Sequence, residues 1–158
     1  QQNLRERLLS LSPTGFERLC QLILREKGFE KVEVTGGSGD GGIDGTGIIK
    51  ISLLSFKVVF QCKRYRGSVG PEDIRNLRGA MQGNADNGIF LTTGYFTRGA
   101  KEEATRLGNE QIELIDGEEI CNLLKELKLG IKTQECIDED WFNEFTWVSV
   151  SFGFPLVV

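Results

Sequence analysis

Apolar residues recur along this chain at two different spacings, and each spacing predicts one kind of secondary structure. After Ser12 and Pro13, apolar side chains return every three or four positions, which predicts a capped helix that ends near Gly28. Residues 29–35 and 56–63 instead alternate between apolar and polar side chains, which is the two-residue period of a β-strand. The first part of the chain is therefore expected to form a helix followed by strands.

The remaining elements up to Gly130 continue this alternation of strands and helices. A short strand at residues 48–51 precedes the strand at 56–63, and we expect the two to pair antiparallel. The later predicted elements are a helix from Pro71 to about residue 82, a strand at 89–92, a helix at 98–107, a strand at 112–115 and an amphipathic helix that ends at Gly130. Helices flanking a mixed β-sheet make an α/β sandwich the expected fold class.

Two segments do not follow this alternation. Residues 36–47 contain seven glycines and predict a loop that bends sharply. After Gly130 the composition shifts to an acidic patch and then to an aromatic, β-prone end. We therefore divide the chain into a domain of residues 1–130 and an extension of residues 131–158, which we expect to pack on the core or on a partner.

The composition excludes several kinds of catalysis. The chain has no histidine, which rules out Ser-His-Asp and Cys-His catalysis and nucleases that bind metal through histidine. Any hydrolysis must then depend on carboxylates, lysine and a bound ion. The four cysteines are widely spaced and form no C-x-x-C pair, so neither a disulfide framework nor a zinc finger is indicated.

The chain has no apolar run long enough to cross a membrane, and its first residues do not resemble a signal peptide. These observations lead us to expect a soluble protein of the cytoplasm.

The net charge of -4 hides an uneven distribution. Residues 131–158 carry one lysine and five acidic residues and so account for all of it. Residues 57–82 carry six basic and two acidic residues, a local excess of positive charge that can meet phosphates. A solvated face of mixed charge explains the same excess equally well.

Three polar residues could carry metal-dependent phosphodiester hydrolysis. Asp44 ends the glycine-rich segment, where missing side chains would let a phosphate backbone come close. Gln61 and Lys63 lie two apart on a strand, so an oxygen ligand and an ammonium group share one face. A metal ion suits this chemistry because it lowers the pKa of the attacking water. The alternative is a strand whose polar face is simply hydrated, since Q-x-K triplets are common.

Asp44, followed by Gln61-Cys62-Lys63-Arg64-Tyr65, resembles the catalytic signature of the Mrr-type restriction endonucleases in the PD-(D/E)xK nuclease superfamily. The resemblance covers about residues 8–129. Its other blocks, in the family's order, are Leu11-Ser12-Pro13 with Phe16-Glu17, Gly39-Asp40-Gly41-Gly42-Ile43-Asp44, Gly88-Ile89-Phe90-Leu91-Thr92-Thr93-Gly94 with Phe96-Thr97, and Leu114-Ile115-Asp116-Gly117. Together these blocks are specific, although each alone is weak.

The resemblance implies a restriction-endonuclease-like sandwich whose site binds Mg²⁺, with Mn²⁺ able to substitute. Asp44 would bind the metal, and Gln61 would supply an amide oxygen where the wider superfamily has a carboxylate. Lys63 would position or activate the attacking water. Glu17 would complete the metal shell, although its place on the predicted helix is equally that of a solvated residue.

The resemblance also leads to expectations about DNA contacts. Arg64, Tyr65 and Arg66 follow the catalytic strand and are candidates for phosphate contact, with Tyr65 stacking on a base or only packing. Gln82, near the end of the next helix, is a further candidate, although a surface glutamine is the default interpretation.

The function that the resemblance implies is metal-dependent cleavage of duplex DNA in a restriction or defence system, similar to type IV restriction endonucleases. A junction-specific nuclease and a catalytically silent module that binds DNA or protein are the alternatives. Mrr-type enzymes usually join this unit to a separate DNA-reading domain, which residues 1–10 are too short to contain. A homodimer is a further expectation, because cutting two strands generally needs two sites.

Overall fold

The computed structural model describes residues 2–34, 42–132 and 134–146, with the side chain of Gln2 excluded. Half of the predicted glycine-rich loop, residues 36–41, and the aromatic end from residue 147 lie outside these residues. Within them, no helix has the length and hydrophobicity needed to span a bilayer.

A mixed five-stranded sheet forms the centre of the fold. Its strand order is β1-β2-β3-β5-β7, with antiparallel pairing from β1 to β3 and parallel pairing from β3 to β7. The strands are β1 Glu30–Val34, β2 Gly45–Ile51, β3 Leu54–Lys63, β5 Asn87–Thr92 and β7 Ile112–Ile115. This arrangement confirms the predicted α/β class and the antiparallel pairing of the two central strands.

Helices cover both faces of this sheet. Within the described residues they are α1 Gln2–Leu9, α2 Pro13–Glu26, α3 Pro71–Met81, α4 Arg98–Ala104, α5 Gly117–Glu126 and α6 Glu139–Thr146. The predicted cap of α2 is confirmed, because the Ser12 side chain accepts a hydrogen bond from the Gly15 N–H. The predicted helix starts at Pro71 and Arg98 are confirmed as well.

The alternation of β3 divides the core into two clusters. Val58 and Phe60 face one side, where they pack with residues of α2 and α5. Val59 faces the other side and packs with Ile74 and Leu77 of α3. Because side chains alternate along a strand, Gln61 falls on the α3 side with Val59. The predicted division of this strand into two faces is therefore confirmed.

Four elements were not expected from the sequence. They are the helices α1 and α6 and the two-residue strands β4 Ser68–Val69 and β6 Tyr95–Phe96, which pair in parallel. The first helix is anchored by Leu8 and Leu9, which are buried. The last helix, α6, buries none of its residues.

Candidate active site

Asp44 immediately precedes β2 and lies beside the carboxyl-terminal end of the neighbouring strand β3. Its backbone N–H donates to the Phe60 carbonyl at 2.9 Å, and its Oδ2 accepts the Cys62 N–H at 2.6 Å. Gly45 pairs with Phe60 in the antiparallel register, so Asp44 stands across from Gln61. The start of β2 thus brings a carboxylate next to the predicted amide ligand.

The Asp44 carboxyl group has a raised pKa because of its surroundings. Burial raises this pKa most, the Cys62 hydrogen bond opposes the change, and the negative charge of Glu17 raises the pKa further. The negative charge of Glu17, on α2, thus acts on the half-buried Asp44 carboxyl group.

The Gln61 side chain contributes an unsatisfied oxygen at the same place. Its Oε1 is buried and has no hydrogen-bond partner within the part of the chain that the structure describes. Its amide lies directly over Gly42, where an added Cβ would stand 2.5 Å from Nε2. Gly42 also has a φ of +90°, a conformation that favours glycine. A side chain at position 42 would therefore displace the amide.

Lys63 makes a contact that the sequence did not predict. Its Nζ lies 3.0 Å from Asp73 Oδ1 on α3, with both side chains about one-third exposed. Asp73 also accepts the Gly70 N–H and so forms part of the start of α3. The ammonium lies 5.1 Å from the centre of the Tyr65 ring. These contacts hold Lys63 at the end of β3, two residues beyond Gln61.

Two of the residues predicted to contact DNA, Arg64 and Arg66, form hydrogen bonds with α1. Arg64 donates to the Leu9 carbonyl at 2.8 Å, and Arg66 forms a two-pronged ion pair with Glu6 at 3.2 and 3.3 Å. Both arginines remain exposed. Helix α1 therefore orients both guanidinium groups.

A threonine that sequence reasoning did not single out holds the segment after β3. The Thr93 hydroxyl accepts the Tyr65 N–H at 2.7 Å and donates to the Tyr65 carbonyl at 2.8 Å. Beside it, a Cβ on Gly94 would stand 2.2 Å from the Gly67 carbonyl oxygen. The Thr-Thr-Gly block noted in the sequence thus fixes the path of the backbone from Tyr65 to Gly67.

Gln82 is separated from the other candidates. It caps the carboxyl end of α3, whereas Asp73 lies in that helix's first turn. They are nine positions apart, which corresponds to about 13 Å of helix. Nearby, Asp86 hydrogen-bonds to Lys57, at the opposite end of β3 from Lys63. The structure therefore places Asp44 opposite Gln61 and leaves Lys63 on the same face of β3 as Gln61. The charge of Glu17 acts on Asp44, whereas Gln82 lies at the far end of α3.

Cys62 lies within this site but behaves as an apolar residue. A hydrogen bond with Cys20 and burial together hold the pKa of its thiol well above the usual range. All four cysteines are free. Cys62 also packs with the cluster on the Phe60 side of β3, on the opposite face of the strand from Gln61 and Lys63.

The oxygen donors of the site fit a hard divalent cation. No cluster of three or more His, Cys, Asp or Glu side chains occurs among the described residues. Asp44 and Glu17 give two carboxylates, and the buried Gln61 oxygen gives a neutral third donor. Carboxylate and amide oxygens are ligands that Mg²⁺ and Mn²⁺ accept, whereas softer metals prefer sulfur or imidazole.

Comparison with known proteins gives both sequence and structural relatives. The type IV methyl-directed restriction enzyme EcoKMrr of Escherichia coli is 34% identical over 148 residues, which cover 87% of this chain and 47% of that protein. This chain thus spans about half the length of that relative.

Two solved structures share the fold. The DNA modification-dependent restriction endonuclease AspBHI gives a TM-score of 0.71 at 24% identity, over 92% of this chain and 39% of the other. The MspJI restriction endonuclease, solved in complex with a 27-mer oligonucleotide, gives a TM-score of 0.59 at 26% identity, over 78% of this chain and 30% of the other.

The restriction endonuclease family of Mrr catalytic domains matches residues 8–124, which is most of the chain. Restriction endonucleases generally depend on a divalent metal ion. The family match covers α2, the central sheet and most of α5, and so includes Glu17, Asp44, Gln61 and Lys63. The chain belongs to the Mrr catalytic-domain family of restriction endonucleases.

Proposed function

We propose that this chain is an Mg²⁺-dependent deoxyribonuclease domain that hydrolyses phosphodiester bonds of duplex DNA in a restriction system. Family membership and the oligonucleotide bound to the related MspJI support DNA as the substrate. We further propose that residues 1–130 form the catalytic unit, that it acts in the cytoplasm, and that a separate domain reads the DNA. The length of EcoKMrr, about twice this chain, supports a separate reading domain.

One observation carries this proposal: the buried Gln61 oxygen that lacks a hydrogen-bond partner among the described residues. A buried polar atom without a partner costs about 1–3 kcal/mol. The pairing of β2 with β3 places Gln61 opposite Asp44. Burial raises the pKa of Asp44, and the negative charge of Glu17 raises it further. A cation held here would satisfy the amide oxygen and neutralise the two carboxylates, so one ion would relieve both costs.

The proposed roles follow from these positions. Asp44, Glu17 and Gln61 hold the ion, which when bound lowers the pKa of water and neutralises phosphoryl oxygens. Lys63 supplies a positive charge on the same face of β3 as Gln61, where it orients the attacking water or the phosphate. Asp73 keeps the Lys63 ammonium at the end of the strand.

The candidate DNA contacts form a surface beside this site. Arg64 and Arg66 are exposed and meet phosphates, and the exposed Tyr65 ring stacks or packs against the nucleic acid. DNA would compete with Glu6 for Arg66. Gln82, at the far end of α3, reaches only a more distant part of the duplex.

Cleavage of supercoiled plasmid tests the proposal directly. We expect Mg²⁺ or Mn²⁺ to support nicking or linearisation and EDTA to stop it. We expect Asp44→Ala to abolish cleavage and Lys63→Ala to lower its rate by roughly 100-fold. Lys57→Ala is a matched control, since Lys57 lies on the same face of β3 at its other end. A folded native chain that shifts DNA without cutting it under any metal would overturn the proposal in favour of a silent binding module.

A junction-specific nuclease is the main alternative within the same chemistry. Comparing a four-way junction with a linear duplex of equal length separates the two. Preference for the junction by more than about tenfold would replace the duplex substrate while leaving the site assignments unchanged.

A further inference from the structure

A shallow groove lined by leucines lies between α1, α2 and α5. Its volume is about 450 Å³, and its leucines include Leu4, Leu19 and Leu22. Leu22 is 39% exposed, although it lies on α2 beside the buried residues of that helix. We call this surface the leucine groove.

Two arginines border the leucine groove. Arg7 of α1 and Arg18 of α2 line it, and both are exposed. Within the described residues, neither has a carboxylate within ion-pair distance. Five other arginines do have carboxylate partners: Arg66, Arg75, Arg78, Arg98 and Arg106. The groove thus presents an apolar floor with unpaired positive charge at its rim.

Helix α6 presents the complementary surface. Trp141 contacts Phe142 and Phe145, with ring centres 4.9 and 4.8 Å apart, and all three rings are more than half exposed. We call these rings the aromatic face. Four acidic residues accompany it, and none forms an ion pair with another described residue: Asp138, Glu139, Asp140 and Glu144.

We propose that the aromatic face of α6 docks into the leucine groove of a second copy of this chain. The two surfaces match in hydrophobicity and are opposite in charge, and the aromatic and arginine side chains are those enriched in protein interfaces. Exposed clusters of aromatic rings are costly in a monomer and are characteristic of interaction sites.

The position of the tether favours exchange between two copies. Gly130 lines the leucine groove and Ile131 packs against the core, so the chain leaves the domain beside the groove. The seven residues 132–138 can span about 23 Å when extended. In the structure α6 nevertheless buries none of its residues and leaves its own groove open. Reciprocal docking then forms two identical contacts and closes a symmetric dimer.

The dimer is independent of catalysis, but it has a consequence that rests on the proposed function. Each copy would bring one site, so that a pair could cut both DNA strands. The dimer itself is measured without DNA, and its failure would leave the cleavage assay unaffected.

Light scattering of the native chain at tens of micromolar is the first test. We expect a dimer, and we expect Trp141→Ala/Phe145→Ala to weaken association by about 30-fold or more, as for central aromatic anchors in interfaces. Leu107→Ala is a matched control, because Leu107 is 94% exposed and lies outside the groove and α6. Circular dichroism verifies that each variant is folded. A monomeric native chain, or a dimer that the double variant leaves intact, would overturn the proposal.

Mixing two defective variants then separates exchange from docking within one chain. Leu22→Asp damages the groove and keeps α6, whereas Trp141→Ala/Phe145→Ala damages α6 and keeps the groove. Each variant alone should be monomeric, and the mixture should form a heterodimer through the one remaining contact. Two variants that stay monomeric when mixed would show that α6 docks onto its own chain, which would overturn exchange.

Discussion

The two ends of β3 carry the same backbone contact in different surroundings. At one end Asp86 Oδ2 accepts the Lys57 N–H at 2.7 Å, and at the other Asp44 Oδ2 accepts the Cys62 N–H at 2.6 Å. Asp86 is exposed, whereas Asp44 is half-buried beside Glu17.

The comparison separates a structural carboxylate from a candidate metal ligand. At both positions an aspartate accepts a hydrogen bond from a backbone N–H of β3. That hydrogen bond alone therefore does not distinguish a metal ligand from a structural residue. At the Asp44 end alone the carboxylate is joined by a second carboxylate and by the unpartnered Gln61 oxygen. The two aspartates therefore differ in the groups that surround them. The same substitution made at each aspartate tests whether this difference matters for cleavage.

The largest expected effect is the loss of cleavage when Asp44 is replaced by asparagine. The same replacement of Asp86 is the matched control. Both substitutions keep an oxygen that can accept the strand N–H, so both variants should fold. Asp44→Asn should lower plasmid cleavage by about 1,000-fold, because it removes a charged metal ligand. Asp86→Asn should change it less than about twofold. A change below about twofold in both variants would mean that Asp44 acts only through its backbone bond.

The second prediction compares the two lysines of the same strand face. Lys63→Ala should lower the cleavage rate by roughly 100-fold while DNA affinity changes little, since a single positioned charge or proton-transfer group contributes on that order. Lys57→Ala should leave the rate nearly unchanged. Single-turnover kinetics with saturating enzyme measure the rate, and gel shift measures affinity. A loss confined to affinity would make Lys63 a phosphate contact.

The third prediction concerns metal affinity at position 61. Gln61→Glu should tighten Mn²⁺ binding by about tenfold, because ligand charge raises cation affinity. Gln61→Leu, which has no oxygen, should abolish detectable binding. Titration calorimetry measures both, without any need for cleavage. Unchanged affinity in the glutamate variant would remove Gln61 from the metal shell.

The smallest expected effect is on stability and follows from the raised pKa of Asp44. The native state holds this proton more tightly than the unfolded chain does. Stability of the metal-free protein therefore falls as pH rises from the ordinary aspartate pKa through the raised pKa of Asp44. Asp44→Asn should raise Tm by about 2 °C at pH 7 and have no such effect at pH 3. Asp86→Asn, measured alongside, should not reproduce this pH-dependent gain.

Periodicity was sufficient to predict the sheet and most of its helices. The alternation in β3 assigned Val59 and Gln61 to one face of the strand. A one-residue shift of the strand register would instead bury charged side chains. The strands β4 and β6 were not predictable, since two residues cannot show a period. The helices α1 and α6 have only eight residues each, too few for a repeating apolar pattern to stand out.

The candidate site was predictable only where a motif marked it. Asp44, Gln61 and Glu17 were expected from the resemblance. The structure places Asp44 opposite Gln61, and the charge of Glu17 acts on Asp44, while the catalytic roles of all three remain predictions. Asp73 was missed because an acidic residue in the first turn of a helix has an ordinary explanation in the helix dipole. Its place beside Lys63 depends on how α3 packs on the sheet, which no local pattern contains.

The first helix limits how this domain can be moved into another protein. The family match begins at residue 8, inside α1, yet Arg5 donates to the Thr93 carbonyl and Glu6 pairs with Arg66. A designer who transplanted only the matched residues would sever both links and loosen the segment that follows the catalytic strand. The portable unit is therefore longer than the family boundary and starts at the beginning of α1.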